Sequence, residues 1–219
     1  MSVKKLLQEL TNSSDGEINL TEKQMNIVCA AIEMFSEKGF AATSTSEIAK
    51  KAGVAEGTIF RHYNTKKDLL LAIPEYVSKL SISKEFISNI GKTLEDPKVT
   101  VEDFLRAIIQ NRRTLVATNF LIIKVLLQEL PFHPDLKAKI TQSIFSPARQ
   151  QIIKVIDYFK GQGQIIDLPS NTIANLIITS IFGNMFIRYI AQLDFDWDKE
   201  KETELLIQYI MNGIKPTKS

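Results

Sequence analysis

Cysteine is almost missing from this chain: Cys29 is the one thiol among 219 residues, so no internal disulfide can form. Histidine is nearly as scarce, and His62 and His133 with one thiol make too small a set for a zinc site of the usual ligand types. No charged start leads into an apolar run and a small-residue cleavage site, so the expected compartment is a reducing cytoplasm. Charge of one sign is lacking as well. The 27 Lys and Arg stand against 25 Asp and Glu, so no global basic field draws in nucleic acid. The only glycine pair of interest, "GQGQ" at 161–164, has no strand before it and no Gly-Lys-Ser/Thr after it, which excludes a phosphate loop and leaves a helix stop. No acids, bases or metal ligands converge as an enzyme would require, and neither a metal nor a cofactor is expected. One uncharged window, "LPSNTIANLIITSIFGNMFI" at 168–187, has transmembrane length, yet it holds a proline, a glycine, three asparagines, two serines and two threonines. It reads as a buried helix of a soluble protein, and no membrane is expected as a partner.

What is present is ordinary globular composition, 44% apolar and 24% charged, in a length between one and two typical domains. The charge is unevenly spread. Residues 38–67 hold six cations against two acids, whereas residues 1–37 hold three cations against six acids, so any nucleic-acid surface is local. Residues 1–19 have too little apolar content to order themselves and read as a mobile arm. A firm helix begins after Thr21, where Gln24 completes a capping box and Leu20 and Met25 form a staple. Its apolar positions Met25, Val28, Cys29, Ile32 and Phe35 follow the 3.6 period, and Gly39 is read as its left-handed cap. Ser44 with Glu47 starts a second, shorter helix that stops at Gly53. A third spans about 55–63, and Thr65 with Asp68 caps a fourth. From 74 onward the pattern stays helical, with breaks expected at 91–97, 131–134, 146–147, 161–169 and 193–198 and no sustained period-two alternation. The fold class is all-α.

Two short helices about a tight turn at Gly53, the second followed by lysines, form the pattern of a helix-turn-helix. Gly57 leaves the helix approach to a major groove unobstructed. Thr58, Phe60 and His62 face out to base edges, while Ile59 and Tyr63 face in. Lys66 and Lys67, with Ser44 and Thr45 at the start of the second helix, are placed for backbone phosphates.

The run "AAIEMFSEKGFAATSTSEIAKKAGVAEGTIFRHYNTKKDLLLAI" closely resembles the N-terminal domain of the TetR family of bacterial transcriptional regulators, over about 50 residues. The resemblance implies a recognition helix at 55–63, with Ala55, Glu56, Gly57, Thr58, Phe60, Arg61 and His62 in the groove and Thr45 and Lys66 on phosphates. Ala55 departs from the capping serine of many members, and Phe60 from the usual tyrosine, which keeps van der Waals contact but loses a hydroxyl. Glu56 is unusual beside phosphates; it accepts from a cytosine amino group or points to solvent.

One such helix reaches few bases, so specificity requires a homodimer reading a palindromic double-stranded DNA operator. The window 169–193 is apolar nearly all round, and Ile177, Ile181, Phe182, Met185 and Phe186, with Leu206 and Ile210 of the last helix, are the expected dimer interface. Resemblance to the family implies a four-helix bundle built from these two helices and their mates. Members commonly enclose a small-molecule pocket in the region matching 75–165. Phe104, Ile108, Phe120, Ile123, Phe145, Ile152 and Phe159 are candidate lining residues, with Arg112, Asn119 and Asn184 as polar contacts for a hydrophobic effector. Pro74 interrupts the fourth helix, which in this family links the DNA head to the ligand domain, and is expected to kink or end it. The expected layout is thus an arm at 1–19, a DNA-binding domain at 20–73 and a regulatory and dimerisation domain at 74–219. The leading function is a ligand-responsive repressor. A family member without an inducer, controlled by a protein partner or acting architecturally, remains the alternative.

Overall fold

The computed structural model describes residues 20–81, 98–191 and 198–214, so the expected arm at 1–19 lies outside the described residues. Among those residues every regular element is helical, and there is no strand. The chain divides into two compact units.

The first unit takes the described residues up to Ser81 together with Thr118–Phe145. Helix α1 (Glu22–Lys38) opens at Thr21 with a complete capping box, the Gln24 N–H donating to the Thr21 hydroxyl at 3.3 Å and the Thr21 N–H to Gln24 Oε1 at 3.0 Å. Ile27, Val28, Ala31, Ile32 and Phe35 are wholly buried, an apolar arc too wide for one neighbour. Helix α2 (Thr45–Ala52) packs on one side of α1, and α6 (Phe120–Glu129) on another. Gly39 ends α1 with φ 81° and ψ 161°, a positive φ that favours glycine but an extended ψ, so the expected left-handed cap is replaced by a sharp exit. Gly53, at φ 68° and ψ 33°, is a true left-handed cap of α2. Helix α3 (Glu56–His62) follows, and then α4 (Lys66–Ser81), which the Thr65–Asp68 box starts.

Helix α4 runs on through Pro74 to Ser81 instead of ending there. An interior proline costs about 3 kcal/mol, whereas full burial of a residue such as Ile73 or Val77 returns about 1.5–3 kcal/mol each. The two apolar anchors on either side outweigh the lost hydrogen bond. Those anchors pack with Leu136 and Ile140 of α7 (Pro134–Ile140) in one core, so the boundary expected at 73/74 does not match the packing. The expected break at 146–147 is absent too. A π turn, Thr141–Phe145, leads directly into α8 (Ser146–Gly161), and the helical run continues through Pro147.

The second unit comprises most of α5 (Val101–Thr118), α8, α9 (Ser170–Met185) with a following π turn (Phe186–Ile190), and α10 (Lys199–Ile214). Its core joins Phe104, Leu105 and Ile109 to Val155, Ile156 and Phe159, to Ile173 and Ile177, and to Ile207 and Ile210. The stretch Ser170–Tyr189 has the length and hydropathy of a membrane span. Only 28% of that window is buried, which corrects the reading of it as a buried helix. Ile173, Ala174, Ile177, Ile181 and Met185 face inward, while Leu176, Phe182, Phe186 and Ile187 face out.

Candidate nucleic-acid interface

Helix α3 is seven residues long and begins at Ala55 without a side-chain cap. A helix this short is marginal alone. It persists because Ile59 is wholly buried and Tyr63 nearly so, in the same core as Ile48 and Ala49 of α2. Those anchors fix its rotation. Ala55, Gly57, Phe60, Arg61 and His62 are exposed, and Glu56 and Thr58 half-buried, so the expected groove set lies outward or at the edge. Phe60 leaves 46% of its surface open, an unusual exposure for a phenyl ring.

Ser44 caps α2 through a reciprocal box with Glu47: the Glu47 N–H donates to the Ser44 hydroxyl at 3.2 Å, and the Ser44 N–H donates to Glu47 Oε2 at 2.9 Å. The Lys38 ammonium lies 2.6 Å from the other carboxylate oxygen. Lys38 first, then the Ser44 N–H and hydroxyl, hold the Glu47 carboxyl down to about 2 from its ordinary 4.5. A depressed folded pKa stabilises above the unfolded value and is lost as pH falls through the folded one, so this box weakens between about 4.5 and about 2. Protection of the Ser44 amide, taken as exchange relative to the intrinsic rate at each pH, is expected to fall as pH drops through that window, and in Glu47→Gln to stay flat there.

Three more of the expected phosphate ligands have partners within the chain. The Thr45 hydroxyl donates to Glu56 Oε1 at 2.5 Å, tying the start of α2 to the start of α3. Glu56 therefore does not simply point to solvent. Lys66 donates to the carbonyls of Phe40 at 2.6 Å, Thr43 at 2.5 Å and Ala41 at 3.4 Å, and its ammonium stands 4.4 Å from the centre of the Phe40 ring. All three of its donors are spent on backbone, so Lys66 clamps the turn between α1 and α2 rather than standing free for phosphate. Lys67 is paired with Asp135 at 2.5 Å, and that exposed pair holds the Asp135 carboxyl below its usual range. Near these residues the sequence offered no sign of Glu129, a buried carboxylate that accepts the Phe40 N–H at 3.0 Å across 89 residues of chain.

The expected effector-lining residues do not gather in one unit. Phe104, Ile108, Ile152 and Phe159 meet in the second core, with the Phe104 and Phe159 rings 6.1 Å apart, and Arg112 and Asn184 belong to the same unit. Asn119, Phe120, Ile123 and Phe145 belong to the first unit, and Phe145 is 52% exposed on the π turn. Burial pushes the Arg112 guanidinium down to about 10. A cleft of about 280 Å³ between α5 and α10 is lined by Glu102, Arg106, Glu204, Ile207, Gln208, Met211 and Asn212, none of them expected. Arg106 grips Glu204 there at 3.0 and 2.8 Å.

The expected dimer residues divide by face. Ile177, Ile181, Met185 and Ile210 are spent in the chain's own core and Leu206 is half-buried, while Phe182 and Phe186 are open, their rings 6.2 Å apart. Ile187, Leu205 and Tyr209 are exposed as well and had not been singled out. Spacing alone would have found Leu205 and Tyr209, one turn apart on α10.

A four-residue-spaced anchor pair holding a short outward helix, set against a capped α2, defines a helix-turn-helix head on an all-α body. The family description "Bacterial regulatory proteins, tetR family" matches residues 27–73. The HTH-type transcriptional regulator YvkB of Bacillus subtilis is 30% identical over 199 residues, which cover 86% of this chain and 95% of that relative. The chain belongs to the TetR family, whose members are regulators and not enzymes. The fatty acid metabolism regulator protein of Bacillus subtilis is 33% identical over 95 residues, 43% of this chain and 46% of the relative. The chain spans under half the length of this and other curated relatives it matches. In fold it resembles the crystal structure of FadR from Bacillus subtilis in complex with stearoyl-CoA, at TM-score 0.66 and 22% identity, covering 86% of this chain and 98% of that one.

Proposed function

We propose that the chain is a repressor that binds a palindromic DNA operator as a homodimer and is released by a hydrophobic small molecule. The observation that carries the DNA reading is the division of α3: Ile59 and Tyr63 lock it to the head while Phe60, Arg61 and His62 stand out at its surface. A helix so presented fits a major groove, where an apolar ring meets a thymine methyl and a guanidinium meets guanine. The outward Phe182, Phe186 and Tyr209 support pairing of two copies, since single chains rarely leave such residues bare together. Selection from a random-sequence duplex library tests both parts. The expected product is a palindrome with half-sites about 34–36 Å apart or a multiple of that; no enrichment would overturn the DNA reading, and enriched sites without symmetry would overturn the dimer. On the selected duplex, Phe60→Ala is expected to shift base preference at a cost of about 1–3 kcal/mol.

The effector reading rests on the apolar set Phe104, Ile108, Ile152 and Phe159 with the desolvated cation Arg112 in one unit, and on the likeness to regulators of fatty acid metabolism, one of them seen with stearoyl-CoA. A long-chain acyl-CoA is therefore the class to try first. If it relieves repression it binds the DNA-incompetent form better, and by linkage the duplex must weaken its binding by the same factor, typically about 5- to 150-fold. Titrating stearoyl-CoA with and without saturating duplex measures that factor. Equal affinities would remove this inducer and favour the alternative of control without a small molecule.

A further inference from the structure

We propose that Glu129 is a positioning residue for DNA binding: its buried carboxylate fixes the turn that presents the start of α2. The proposal rests on the helix-turn-helix reading above and adds a residue far outside the head in sequence.

Glu129 closes α6 and leaves 9% of its surface accessible. A carboxylate is costly to bury unless its oxygens are satisfied. One oxygen accepts the Phe40 N–H at 3.0 Å; the other lies 3.5 Å from Nε2 of His133, which precedes α7. The His133 ring meets the Phe40 ring edge-on, with centroids 4.9 Å apart and planes at 81°. Phe40 is also held by Lys66, through its carbonyl and its ring face. Phe40 is thus gripped at its N–H, its carbonyl and its ring. The grip matters because the chain leaves α1 at Gly39 with φ 81°, a conformation that glycine adopts but does not enforce. Residues 40–43 form a turn that closes at Thr43, whose hydroxyl donates to the Gly39 carbonyl at 2.8 Å and whose N–H donates to the Phe40 carbonyl at 3.3 Å, so the placement of Phe40 sets where that turn delivers the Ser44 cap and Thr45. A fully apolar residue at 129 would fill the space but leave the Phe40 N–H without an acceptor.

The test uses the full chain and two readouts. Glu129→Ala is expected to speed hydrogen exchange of the Phe40 amide selectively, and to weaken binding to the selected duplex about tenfold. Base preference should stay unchanged, because the displaced segment addresses the backbone. Glu129→Gln keeps a carbonyl acceptor at the same place, and should restore Phe40 protection and most of the affinity. His133→Ala, which leaves the Phe40 acceptor in place, serves if Glu129→Ala does not fold, with a smaller loss in both readouts expected. Loosening of the Phe40 amide with affinity intact would overturn the positioning role. Unchanged Phe40 exchange would overturn the strap itself. Failure of the wild-type chain to enrich any duplex would instead remove the DNA reading, and the exchange readout stands apart from it.

Discussion

Phe182→Glu is expected to convert a dimer to a monomer and to abolish operator binding in the same step. Phe182 leaves 47% of its surface open in the single chain and stacks near Phe186, so glutamate there disturbs little of the chain's own core. Across a two-fold axis the change counts twice, and each carboxylate taken out of water without a partner costs several kcal/mol, so dimer affinity should fall by at least about a thousandfold. Sedimentation at micromolar concentration reads the mass, and circular dichroism reads whether the chain stays helical. Met185→Glu makes the contrast. That side chain lies in the core beside Ile181, and the expected result is loss of the fold, not a soluble monomer. A Phe182→Glu chain that still sediments as a dimer would place the interface elsewhere.

The second large effect concerns Lys66. A surface lysine placed only for phosphate would leave stability untouched when removed, but this one donates to three carbonyls. Hydrogen bonds to a charged group are worth about 1.5–3 kcal/mol, and partial exposure of Lys66 argues for the lower end even with three acceptors. Lys66→Met is expected to cost about 2 kcal/mol, a fall of about 4–8 °C in Tm for a chain of this size. Binding to every duplex should weaken alike, because the turn before α2 loses its clamp. Lys67→Ala, whose partner Asp135 is exposed, should leave Tm close to wild type. Equal melting of Lys66→Met and wild type would return Lys66 to the role of a free phosphate ligand.

Much of the head was legible because its signals are local. Three capping boxes, at Thr21, Ser44 and Thr65, sit where a hydroxyl residue precedes an acid or amide by three positions, and Gly53 stops α2 where no side chain is needed. Each is settled within a turn of helix. Lys66 and Glu129 were not legible, because their partners at Phe40 lie 26 and 89 positions away and no periodicity connects them. On α9 the sequence shows apolar residues nearly all round, yet only folding decides that Ile177 and Met185 turn to the chain's own core and Phe182 and Phe186 do not. Pro74 misled for a related reason: its local penalty is real, but distant burial of Ile73 and Val77 exceeds it.

The Thr45 hydroxyl has one proton to give, and in the free chain it goes to Glu56. A phosphate that accepted from Thr45 instead would leave the carboxylate at the start of α3 without that donor. An anion so placed is repelled by the duplex unless a cytosine amino group answers it. With one proton to donate, the Thr45 hydroxyl can serve Glu56 or a phosphate but not both at once.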